Sequence, residues 1–134
     1  MPQRLIAALA ITRKIAVREV AMAVFVYCWR CNVEVPMLSE EEWTELEPFL
    51  NSMVENIQKY RIENACSLEE ARKMAWGKEA LDAYERITGF HETNVSCLYH
   101  HRLSLIGPRC VCCGKPLRTP KAKYCASCGK ERTN

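Results

Sequence analysis

The strongest constraint on this chain is a pair of CxxCG units close together in its last quarter. Cys110 and Cys113 are followed by Gly114, and Cys125 and Cys128 by Gly129, with eleven residues between the pairs. Two cysteines three apart on a tight turn aim both sulfurs at one ion, and the glycine lets the backbone turn so that amides reach the thiolates. Two such knuckles face to face complete a tetrahedral S₄ shell, which predicts a zinc ribbon with one structural ion. The spacer is shorter than the ~15–20 residues of the usual four-cysteine pattern, which trims the intervening turn without forbidding the site. Residues 115–124, with Pro116 and Pro120, are expected to form a small hairpin between the knuckles. A shell of four thiolates has no vacancy for water or substrate, so the ion is expected to hold structure and do no chemistry. Cys112, inside the first knuckle, is expected to be peripheral, because CxC suits a shared ion less well than CxxC.

The other cysteines are harder to place. Nine in 134 residues is an odd count and fits a closed disulfide framework badly, so metal binding or free thiols are the better expectation. Cys28 and Cys31 form a third CxxC, in CWRC. They admit three readings: a second zinc with two of Cys66, Cys97, His91, His100 and His101; a redox dithiol; or inert buried thiols. The redox reading expects a helix after the motif, whereas NVEVP has the character of a strand. His100 and His101 beside Tyr99 invite a catalytic role. However, no nucleophile or carboxylate stands at a matching spacing, and no GxSxG, HExxH, P-loop or dinucleotide-binding turn occurs. The chain is therefore expected not to be an enzyme.

Around these sites the pattern predicts an α+β fold made of a short N-terminal β-hairpin, an antiparallel helical hairpin and the C-terminal Cys₄ zinc ribbon. β-Branched Val24, Val26, Val33 and Val35 flank CWRC as two strands, closed by Pro36. Ser39 with Glu42 is a capping box. Trp43, Leu46, Leu50, Met53, Ile57 and Tyr60 then mark one helical stripe, which Pro48 is expected to kink or split at Glu47. Glu40, Glu41 and Glu42 complement the dipole at that helix start. Ser67 with Glu70 opens a second helix through Ala71, Met74, Leu81, Tyr84 and Ile87, weakened at Gly77 and ended by Gly89. Residues 90–109 read as irregular, with a short strand at residues 103–106.

Charge divides the chain. Residues 22–107 carry eight Lys or Arg against fourteen Asp or Glu, a net of −6, while residues 108–134 carry seven basic groups against Glu131, a net of +6. The organisation expected is an extension at 1–21, disordered or not native, then an acidic, mainly helical body at 22–107 and a basic ribbon at 108–134. The apolar run at residues 5–11 is a poor signal peptide and far below the ~18 residues that span a bilayer, so no membrane partner and a cytoplasmic location are expected. An Arg-rich start could mark a transit peptide, but the simpler reading takes Met22 as the start of the folded chain and Met1 as an upstream alternative.

The tail GPRCVCCGKPLRTPKAKYCASCG, the opening FVYCWRCNVEVPMLSEEEW and the stretches GFHETN and YHHRLSLIGP resemble a family of small bacterial zinc-ribbon proteins, mostly of unassigned function. Some members are encoded beside secreted antibacterial toxins, which implies an immunity role. The resemblance runs from about Met22 onward. It implies Cys110, Cys113, Cys125 and Cys128 as ligands, draws Cys28 and Cys31 into the family pattern, and assigns no catalytic residue. The leading expectation is thus a zinc protein that acts by protein contact, its acidic body steering onto a cationic toxin domain. The alternative is nucleic-acid binding through Arg109, Lys115, Arg118, Lys121 and Lys123 of the ribbon, although only Tyr124 interleaves them and the acidic body repels a polyanion.

Overall fold

A computed structural model describes residues 24–133; the expected extension at 1–21 and the choice between Met1 and Met22 lie outside the described residues. The architecture is α+β: a two-stranded antiparallel hairpin, a helical body and a C-terminal ribbon of four clustered cysteines. Strands β1 (Val24–Cys28) and β2 (Val33–Met37) pair in the register Val26 with Val35 and Cys28 with Val33. The period of two sends Val26, Cys28, Val35 and Met37 into a small core, where Leu103 and Ile106 cover them. The turn between the strands is CWRC itself. Asn32 closes it in the left-handed region (φ 60°), a conformation asparagine tolerates, and its amide donates to the Cys28 carbonyl at 2.8 Å.

Helix α1 spans Glu40–Asn64 and opens on the expected capping box, with the Ser39 and Glu42 side chains each taking the other's amide. It runs unbroken through Pro48, so of the kink or split expected at Glu47 the split does not occur. Interior proline costs about 3 kcal/mol. Here buried side chains anchor the helix on both sides of it, Trp43 and Leu46 before and Leu50 after, and each contributes about 1.5–3 kcal/mol.

The second predicted helix exists in two pieces. The Ser67–Glu70 box nucleates only a single turn, α2 (Leu68–Ala71), and the chain then turns before α3 (Lys78–Thr88). Trp76 Nε1 donates to the Ala71 carbonyl at 2.7 Å, satisfying it without further helix, and Gly77 caps α3 in the left-handed region (φ 86°). α3 lies antiparallel to α1: Tyr60 meets Trp76 edge to face, Met53 meets Gly77, and Phe49 packs under Arg86. Between them Leu46, Leu50, Ala80, Ala83 and Tyr84 form the main core with Leu38 and Leu98.

The strand expected at residues 103–106 is instead a 3₁₀ turn, Leu103–Leu105, preceded by another at Val95–His100. The reason is local: the pairing capacity of this stretch is spent one residue earlier. Leu38 donates to His101 O at 2.8 Å and accepts from Leu103 N at 2.9 Å, a single parallel bridge that leaves the chain free to curl. This bridge delivers His101 to the hairpin.

Candidate metal centres

In the ribbon each CxxCG unit folds identically. Cys110 N donates to Lys115 O and Gly114 N to Cys110 O; Cys125 N donates to Lys130 O and Gly129 N to Cys125 O, all at 2.8–2.9 Å. Gly114 (φ 81°) and Gly129 (φ 78°) supply the left-handed residue that the tight return needs. Bridges Arg109–Pro116 and Tyr124–Glu131 then make each knuckle the tip of its own miniature hairpin. The hairpin expected between the knuckles is absent among the described residues. Leu117 instead turns inward, 3 % exposed, and pairs through Gly107 and Pro108 with the chain entering the ribbon.

The result brings Cys110, Cys113, Cys125 and Cys128 together, their sulfurs all within 4.8 Å of one another. Cys110 Sγ stands 3.6 Å from Cys128 Sγ, and Cys113 Sγ 3.5 Å from Cys125 Sγ. Sulfurs bound at ~2.3 Å to a tetrahedral ion are about 3.8 Å apart, so the four residues fit one such ion with little adjustment. Electrostatics point the same way. The amides of Cys128 and Ser127 hold the Cys125 thiol down to about 6 against its burial, and those of Cys113 and Cys112 lower Cys110. The opposite members of the two pairs are shifted the other way. The Lys130 amide favours the Cys128 thiolate, but burial and the neighbouring thiols push it up to about 12, and Cys113 is raised despite the Lys115 amide. A divalent ion held by the four sulfurs displaces whatever protons they carry. Cys112 is exposed and outside the cluster; its amide, not its sulfur, serves the site, reaching Cys110 Sγ at 3.4 Å.

A second group lies in the body. Cys28, Cys31 and His101 present ligand atoms within 4.8 Å of one another, and Cys31 Sγ is 3.5 Å from His101 Nε2. His101 is fully buried, and that burial lowers its pKa and keeps the imidazole neutral, the form that binds metal. Its other nitrogen, Nδ1, is 3.2 Å from the Tyr84 hydroxyl, which donates to the Pro36 carbonyl at 2.6 Å. Burial pushes the Cys31 thiol up to about 12, with hydrogen bonds to Cys97 and Cys28 adding to it. A thiol held protonated in this way is a poor nucleophile.

The remaining candidates are elsewhere. Cys66 sits at the end of α1, where its amide bonds Arg61 O. His91 is exposed and pairs with Glu85 at 2.8 Å. His100 lines a cleft of ≈ 320 Å³ with Trp29, Arg30, Met37 and Arg118, and burial with the nearby Arg30 charge lowers its pKa. Tyr84 was legible only as one apolar residue of a stripe; nothing in the sequence marks its hydroxyl as a partner of His101.

The ribbon is tied to the hairpin. Trp29 Nε1 donates to Pro116 O at 2.9 Å, Lys115 lies over the Tyr27 ring at 4.3 Å, Arg118 over Trp29 at 5.7 Å, and Arg109 reaches Phe25 O. Three of the five proposed nucleic-acid contacts therefore also serve to dock the ribbon; Lys121 and Lys123 are exposed. Among the described residues no helix is long and apolar enough to cross a membrane. Compared with protein-family models, with curated proteins and with solved structures, the chain matches none.

Proposed function

We propose that this chain is a non-enzymatic zinc protein that acts by protein contact, as the inhibitor or immunity partner of a cationic bacterial toxin domain. The observation that carries the reading is the outer face of α1. This 25-residue helix bears seven glutamates against Lys59 and Arg61, and a 3.6-residue period puts Glu45, Glu55 and Glu63 on the side opposite Trp43, Leu46 and Leu50. All three are exposed, as is Lys59, which the same period sets between Glu55 and Glu63, so the face keeps a net negative charge with one cation in it. Such a ridge steers onto a positively charged cleft and covers it without chemistry. The four-thiolate shell has no open position for a substrate, which supports a scaffolding role for its ion.

The test is co-expression with the product of the adjacent gene. Growth rescue and co-purification are expected. The double charge reversal Glu45→Lys with Glu55→Lys should weaken binding at least tenfold and flatten its salt dependence. A neighbour that is harmless and unbound, or binding indifferent to the reversal, overturns the reading.

The cleft beside Trp29 favours a second reading, because Arg30, His100 and Arg118 line it with the indole, over which Arg118 lies. This suits a nucleic-acid backbone with a stacked base. A mobility shift on single-stranded DNA or RNA that falls steeply with salt and is lost in Arg30→Ala with Arg118→Ala would select it.

A further inference from the structure

We infer that Cys28, Cys31, Cys97 and His101 form a second zinc site, a closed Cys₃His shell in the body, with Tyr84 and the Pro36 carbonyl selecting Nε2 as the histidine donor.

Three observations converge on it. The first is distance. Zinc bound at ~2.3 Å to sulfur and ~2.05 Å to nitrogen puts a tetrahedral S···N edge near 3.6 Å, and Cys31 Sγ to His101 Nε2 is 3.5 Å. Cys28 shares the same 4.8 Å neighbourhood. The second is the fourth ligand. Cys97 lies outside the group already within 4.8 Å but is near enough to Cys31 to help hold its thiol up. It stands on the 3₁₀ turn Val95–His100 that leads directly into His101, so a small shift of that side chain is what the fourth bond requires. CWRC on the hairpin and CLYHH on the turn thus supply two ligands each, at spacings of three and four residues.

The third observation concerns protons. A tyrosine hydroxyl has one hydrogen, and that of Tyr84 is directed at Pro36 O, an acceptor only. Towards His101 Nδ1 the same oxygen must therefore accept, which places the imidazole hydrogen on Nδ1 and leaves the Nε2 lone pair facing the thiols. A ligating histidine is typically oriented in this way, its second nitrogen donating to a fixed acceptor. Tyr84 and His101 are both fully buried, so water does not compete for that hydrogen bond. Tyr84 is a positioning residue; it does not reach the ion.

The site is independent of the ribbon's ion and of any partner. It is tested by zinc content of the full chain, purified reduced and without chelator, together with cobalt substitution. Two equivalents per chain are expected. Cys125→Ser should leave one, with the cobalt spectrum of a Cys₃His centre, and Cys97→Ser should also leave one, with that of a Cys₄ centre. Tyr84→Phe keeps every ligand and the ring, and should weaken the body site about 10- to 100-fold in chelator competition while the ribbon is unaffected. If His101→Ala fails to fold, Cys97→Ser and Tyr84→Phe still decide. One equivalent in the native chain that Cys125→Ser abolishes would overturn the site. So would a second equivalent whose affinity ignores both Cys97→Ser and Tyr84→Phe.

Discussion

Arg102 holds two elements with one guanidinium. Its Nη2 bonds Glu40 Oε1 at 2.8 Å, and its plane lies over the Trp43 ring at 4.4 Å, so the first turn of α1 is fastened to the segment carrying His101. The bond from Arg102, with another from Ser104, keeps the Glu40 carboxyl below the usual carboxylate range. A lowered carboxyl contributes fully above its unfolded pKa and loses that contribution as pH falls through its folded value. Arg102→Ala should therefore return Glu40 most of the way to the ordinary range, seen as a shifted carboxyl titration by NMR, and should remove this part of the acid sensitivity. The acidic run Glu40 to Glu42 was legible as a favourable helix start, and Glu42 indeed completes the capping box. Glu40's partner, 62 residues away, was not, because no local pattern encodes which distant cation a surface carboxylate meets. The same holds for Tyr84: the stripe announces burial, whereas its hydroxyl chemistry depends on a neighbour that only the fold supplies.

At the scale of elements, caps were readable and lengths were not. Both capping boxes formed as read, yet one opens 25 residues of helix and the other four. A capping box satisfies the first amides whatever follows, so the extent of each helix is decided by tertiary partners such as the Trp76 indole on Ala71 O. Gly77 is the decisive residue of the break. A Cβ there would stand 2.6 Å from Val95 Cγ2 and 3.0 Å from Met53 Sδ, on a backbone at φ 86°. Gly77→Ala is expected to cost about 2–4 kcal/mol, combining the left-handed penalty with overpacking, and a lowered urea midpoint at unchanged slope would register it. Pro48 shows the converse error. The expected kink or split weighed the lost amide bond and the clash with the preceding turn, and left out the buried side chains on both sides of the proline that keep the helix from dividing.

For the whole molecule, the four ribbon cysteines were legible because their chemistry is written in local spacing. The body group was only half legible, since CWRC could be seen but the choice of His101 over His91 and His100 rests on the Leu38 bridge. Apart from Pro116, which faces the hairpin's Trp29, the ribbon's buried residues are Cys110, Leu117 and Cys125, with Ala122 against them. So little apolar surface cannot offset chain entropy, whereas a structural zinc supplies on the order of 10 kcal/mol of folding free energy. Cys125→Ser should accordingly strip hydrogen-exchange protection from residues 108–133 while the helical circular dichroism of α1 and α3 persists.

The CWRC turn has a consequence for how the chain is made. Its partners arrive late in synthesis: His101 is 70 residues after Cys31, and Pro116, which receives the Trp29 indole, is 87 residues after it. At about 5–20 residues per second, roughly 4–14 s of elongation separate the emergence of the first thiols from that of the imidazole. Through that interval the nascent hairpin carries two thiols without their imidazole neighbour, and the reducing power of its surroundings bears on whether they are still unoxidised when it emerges.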